Sequence, residues 1–213
     1  LLALSFSFTI PLGESADEVS HYSYIAEIRK NGRLPAPEGP AIGEAHQPPL
    51  YYLLAAALTA WYPDSIRPVQ ANPDFSFDDA SAPNLLLHPG AEVFPYSAGA
   101  GLWHLLRVIS VLLGFLTVWG TFLLARELFP ERPGVALTGA ALLALLPSFL
   151  LISSVVNNDS LIIVLSTFTL LCWTRILKGA RGWRQGVYLG GLLGLAALAF
   201  SNCRTTPEPD LAT

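Results

Sequence analysis

Four ionisable residues stand where a membrane would make them costly. Asp17 and Glu18 come soon after an apolar stretch at the N-terminus, Arg107 opens one long apolar block, and Asp159 opens another. Charge at membrane depth is expensive, so each invites a chemical reading. A carboxylate at a bilayer surface can act as general base toward an acceptor hydroxyl, because partial desolvation raises its pKa toward working pH. An arginine at the same level can grip a phosphate bidentately and stabilise it as a leaving group. Base and phosphate clamp together suit transfer of a sugar from a lipid-linked donor. Asp17 and Glu18 are then the catalytic candidates, with Arg107, His21, His46 and Asp159 as substrate-binding candidates. Each also has a plainer role: carboxylates favour a helix N-terminus, arginines snorkel, and Asn157-Asn158-Asp159 makes a good helix start. His21 and His46 lack metal-ligand spacing, and hydrogen-bonded structural positions suit them better than a metal. No cofactor is expected, and a divalent metal stays open.

The elements that would position these residues are apolar helices. Residues 108–125 run uncharged between Arg107 and Arg126, close to the ~20 residues that span a hydrocarbon core. Further spans are expected over 134–158, with Pro147 as a kink, over about 160–177, and over about 186–202. Residues 1–12 read as the outer end of a helix. The expected fold is therefore all-α: a multi-pass transmembrane region (107–202) and a large extracytoplasmic loop (13–106) with interfacial helices. All three helix ends that carry these four residues would fall on the outer side.

Composition agrees. Of 213 residues, 52% are hydrophobic and 13% charged, with net charge −4 and mean hydropathy +0.47, whereas soluble domains carry about 25% charged residues. No clustered Lys and Arg stripe supports nucleic-acid binding. Arg175, Lys178, Arg181 and Arg184 crowd one turn, and Arg126 and Arg132 another, so both turns are expected on the cytoplasmic side of a cell membrane. The large outer loop, 13–106, has four basic and eleven acidic residues, a balance of −7. Trp173 and Trp183 would anchor the inner interface and Trp103 the outer one. Cys172 and Cys203 read as helix thiols rather than a disulfide. With no Met in the chain and a polar end over 203–213, the sequence reads as an N-terminal fragment whose tail is aberrant.

Eleven of the seventeen prolines fall between 35 and 95, which leaves room in the loop for two helices. One covers about 16–31, opened by a capping box in which Ser15 caps and Glu18 reaches back, and closed by Gly32. Asp17 and His21 would share its face. The other covers 49–62, too short to span and apolar enough to lie in the interface. The loop tip, Asn72 to Ser97, reads as a solvated connection.

These residues, in order, resemble a family. Pro11, Asp17-Glu18, His21, Tyr24-Ile25, then Gly32-Arg33-Leu34-Pro35, then Glu44-Ala45-His46-Gln47-Pro48-Pro49-Leu50-Tyr51-Tyr52 look like the GT-C membrane glycosyltransferases, which include protein O-mannosyltransferases and the aminoarabinose transferase of lipid A. The runs from Arg107, Arg126 and Asn157 are similar to bacterial members. The resemblance implies transfer of a sugar, with inversion, from a polyprenyl-phosphate donor to an acceptor on the outer face. Asp17 would be the base, Glu18 its neighbour, and Arg107 the contact to the donor phosphate; a single displacement needs no more. A competing class is a non-catalytic multi-pass protein that binds lipid or a partner through its outer loop. A transporter would want broken or polar helices at mid-membrane, and the spans offer little beyond Pro147.

Overall fold

The computed structural model describes residues 1–35, 45–63, 69–76, 78, 84–88, 90–180 and 182–200. Glu38, Glu44, Asp64, Arg67, Asp79, Arg181, Cys203 and the tail 203–213 lie outside the described residues. Within them the chain is helical: α1 (Leu2–Thr9), α2 (Glu18–Asn31), α3 (Leu50–Leu58), α4 (Ala98–Leu128), α5 (Pro133–Leu145), α6 (Pro147–Ile152), α7 (Asp159–Leu177) and α8 (Trp183–Phe200). The β-structure described is one isolated bridge, Ala71 to Leu86.

Two helices, α4 and α7, are long and apolar enough to cross a membrane. Little of either is fully buried by protein, and Leu112, Phe115, Trp119 and Leu170 are exposed. An apolar surface of that extent needs lipid or protein against it. α4 begins earlier than residue 108. The Ser97 hydroxyl accepts the Ala100 N–H, and the first nine residues of the helix, assigned by pattern to the loop, bury Leu102, Trp103 and Leu106. The expected span over 134–158 is two short helices. Leu146 is extended (φ −69°, ψ 119°) because the ring of Pro147 disfavours the helical region for the residue before it.

α4 packs against α5 and α7, and α7 against α8. Small residues set the approach. A Cβ at Gly120 would lie 2.9 Å from Thr167 Cγ2, and one at Gly114 would lie 2.7 Å from the Ser153 side chain. Close backbone contact through small residues is how helices gain packing energy where no water drives them together. Gly120→Leu is expected to lower stability by about 1–3 kcal/mol through overpacking, read as a lower denaturant midpoint in detergent. An unchanged midpoint would place α4 and α7 farther apart than described.

Above this layer α2, α3 and the start of α4 share an aromatic core. Tyr22 stacks on Trp103 (centroids 3.9 Å, 9°), and Tyr24 meets Tyr52 at 3.8 Å and 62°. Trp103 is thus buried in the core and does not anchor an interface, whereas Trp173 and Trp183 are exposed. On α3, Tyr51, Tyr52, Ala55 and Ala56 face inward while Leu53, Leu54 and Leu58 are exposed. An apolar helix with one face outside the core is what an interfacial disposition requires.

Candidate active site

α1 stops because Pro11 follows Ile10, which leaves its last carbonyls without helical donors. Arg107 supplies them. Its Nη1 donates to Ser7 O at 2.9 Å and Ile10 O at 2.6 Å, and its Nη2 to Pro11 O at 2.9 Å. The remaining donors go to Glu18: Nε to Oε1 and Nη2 to Oε2, both at 2.7 Å. Glu18 completes its set by accepting Gly13 N–H and Val156 N–H, each at 3.0 Å. Both side chains are fully buried. One ion pair therefore joins the end of α1, the start of α2, the tenth residue of α4 and the turn that leads into α7. All five guanidinium N–H groups have acceptors.

The expected capping box does not form. Asp17, not Ser15, is the N-cap of α2, and no side chain bonds the helix start. The reason is that Glu18, which the box would turn back on its own helix, is drawn to Arg107. Gly32 does close the helix as expected, with φ 64° and its N–H on Ile28 O at 2.8 Å.

Asp17 is exposed and has φ 60°, the one non-glycine residue among those described with a left-handed backbone. Such a conformation costs free energy and persists where surrounding structure imposes it, often at functional sites. Here the imposing structure is the turn from Gly13 to Glu18, held at both ends by the buried carboxylate. Asp17 is therefore a solvent-facing carboxylate on a constrained backbone, next in sequence to Glu18 of the ion pair.

His21 is buried, its Nδ1 2.8 Å from the Tyr52 hydroxyl, whereas Asp17 is exposed, so the two do not share a solvent-facing surface. His46 is exposed. Asp159 starts α7 as expected; its N–H meets Asn157 Oδ1 at 2.6 Å and its side chain is exposed. Asn158, buried, donates to Gln47 Oε1 at 3.3 Å. Tyr24 donates to Gln47 O at 3.4 Å, and the Tyr51 and Ser110 hydroxyls are 3.3 Å apart. Burial pushes the Tyr51 phenol up to about 12, so it stays neutral. The H-Q-P-P-L-Y-Y run thus supplies the groups that tie α3 to α2, α4 and α7. The ordered motif was visible in the sequence; its partners were not.

The loop tip also has a job that pattern did not show. Glu14 accepts the Leu85 and Leu86 N–H groups at 2.9 Å each and meets His88 Nε2 at 2.8 Å, while His88 Nδ1 meets Glu92 at 2.9 Å. Both imidazole nitrogens face carboxylates, an arrangement that the imidazolium satisfies with two donated bonds. Leu86 is buried against Gly13, which has φ 85° and no room for a Cβ. Segment 84–88 is thereby latched over the turn that bears Asp17. Burial alone pushes the Glu14 carboxyl up, but hydrogen bonds from His88, Leu86 and Leu85 and the His88 charge outweigh it and hold the group below its ordinary value. A carboxyl lowered in the folded state stabilises the latch above its unfolded pKa, and that contribution is lost as pH falls through the folded value. Amide exchange at Leu85 and Leu86, corrected for intrinsic rate, is expected to lose protection below about pH 4.5, and to lose it at neutral pH in Glu14→Ala. Protection that persists in the variant would refute the latch.

Among the described residues no three His, Cys, Asp or Glu side chains are arranged to hold a metal ion. Cys172 is a free, half-buried thiol, as expected.

No curated protein and no solved structure matches the chain. Residues 92–201, just over half of the chain, match the family described as dolichyl-phosphate-mannose-protein mannosyltransferase. That segment includes Arg107 and Asp159 and begins after Asp17 and Glu18. The apolar, lipid-requiring faces of α4 and α7 accord with a membrane glycosyltransferase of GT-C type, and the chain belongs to the dolichyl-phosphate-mannose-protein mannosyltransferase family.

Proposed function

We propose that this chain takes part in transfer of a sugar from a polyprenyl-phosphate donor to an acceptor on the extracytoplasmic face of a cell membrane, with Asp17 as general base. The chain would cross the membrane several times, with α2 and α3 outside. The observation that carries the reading is the exposed, left-handed Asp17 mounted on the buried Glu18–Arg107 pair. An exposed carboxylate at a helix N-terminus, in a chain whose family implies a lipid-linked sugar, supports a role in taking a proton from an acceptor hydroxyl. The hydroxyl oxygen attacks the anomeric carbon, the bond to the donor phosphate breaks, and the phosphate leaves with the electron pair.

Glu18 and Arg107 act as positioning residues on this reading. Contact between Arg107 and the donor phosphate would require release of some of the five bonds it makes. Asp159, His46 and His21 remain substrate-binding candidates: Asp159 and His46 because they are exposed near the same helix ends, His21 only through Tyr52. The test is transfer of labelled mannose from a polyprenyl-phosphate donor in membranes containing the full chain. Loss of transfer in Asp17→Asn supports the assignment, and wild-type transfer by that variant refutes it.

A further inference from the structure

At the far end of α4 and α7, away from Asp17, a second polar cluster surrounds a cleft of about 520 Å³. Arg107 and Arg126 are 19 residues apart on one continuous helix, which at ~1.5 Å per residue is about 28 Å. That separation matches the ~30 Å of a hydrocarbon core. The cleft thus sits at one membrane boundary when the Glu18–Arg107 pair sits at the other.

Its chemistry is lopsided. Arg126, Arg175 and Lys178 line it with one acid, Glu127, and the apolar Phe122 and Leu123 lie on the side toward the middle of α4. Glu127 neutralises only part of this charge. Its carboxylate takes Arg175 Nε at 3.2 Å, while Lys178 Nζ donates to its backbone carbonyl, which carries no formal charge. Arg126 has as its contact the Phe122 ring, 6.0 Å from the centroid. Among the described residues, Arg175 bonds through its Nε and leaves its terminal nitrogens toward the cleft without an acceptor. The excess of about two positive charges is concentrated in a concave space between two helices, where a solvated surface would spread it out.

We propose that this cleft binds the phosphate of an anionic phospholipid headgroup. Basic clefts between transmembrane helices at the membrane boundary recognise such headgroups, and the arginine fork matches phosphate oxygens. Phe122 and Leu123 continue the cleft toward the hydrocarbon, so the acyl chains of a bound lipid have apolar surface to follow. A soluble phosphate shares the headgroup chemistry and would lack that second contact.

The test uses the full chain in nanodiscs that contain phosphatidylglycerol and phosphatidylcholine, with spin-labelled lipid reporting relative association. Phosphatidylglycerol is expected to be enriched around the protein, and Arg126→Gln with Arg175→Gln to reduce the enrichment by roughly fivefold or more, given about 1 kcal/mol per basic residue near the surface. Glu127→Gln removes the competing acid and keeps every cation, so it is expected to raise the enrichment; this variant keeps the proposal testable if the double variant folds poorly. Equal association of the two lipids, or enrichment indifferent to both variants, would overturn the proposal. Loss of the enrichment in excess inorganic phosphate would overturn the assignment to lipid, because a headgroup held by its acyl chains resists that competition.

Discussion

Arg107→Met is expected to cost on the order of 3–5 kcal/mol, the largest stability effect in the molecule. The single change leaves the Glu18 carboxylate buried with only the Gly13 and Val156 N–H groups, and strips the Ser7, Ile10 and Pro11 carbonyls of their donor. A buried charge without its partner is penalised far more than a pair replaced by neutral groups. Glu18→Gln combined with Arg107→Met should therefore cost much less than the sum of the two single variants. Denaturant titrations of the four proteins in detergent, followed by Trp fluorescence, measure this coupling. Near-additive effects would mean that the pair contributes little, and the account of Arg107 as the joint of four segments would fail. Arg107→Lys keeps the charge but cannot reproduce five directed bonds, so it should fall between wild type and Arg107→Met.

Asp17→Asn is expected to lower sugar transfer by about 10²–10⁴-fold, the usual contribution of a general base, with little loss of stability. Asparagine has the same shape and tolerates a left-handed backbone, so the fold gives the variant no reason to fail. Asp17→Gly makes the complementary point. It removes both the carboxylate and the side chain that makes φ 60° costly, and is expected to raise stability by up to about 1 kcal/mol while transfer is lost. Opposite signs on stability and activity separate a residue kept for chemistry from one kept for packing. Equal transfer by wild type and Asp17→Asn, or a less stable Asp17→Gly, would sink the corresponding half of the argument.

The helical class, the apolar faces of α4 and α7, the start of α7 after Asn158 and the end of α2 at Gly32 were all determined by the sequence alone. Each depends on residues within a turn or two of one another: hydropathy over a run, a glycine that accepts positive φ, side chains that compete for nearby N–H groups. The break at Pro147 was also local, although its size, two helices rather than one kinked span, came from the extended Leu146.

The tertiary structure alone decided the partners. Glu18 had a plausible bond three residues away and took one 89 residues away instead, because a buried guanidinium satisfies a carboxylate better than an exposed helix end does. Trp103 looked like an interfacial anchor and became core because Tyr22 stacks on it. The loop tip looked like a solvated connection until Glu14, 74 residues before His88, closed it onto the turn below Asp17. Long-range pairing of this kind leaves no periodic trace, since charge and hydrogen-bond capacity are legible in a sequence but the distance between two groups is not. Asp17 was legible as a carboxylate after an apolar helix; only the fold made it an exposed, left-handed one on a buried, fully bonded base.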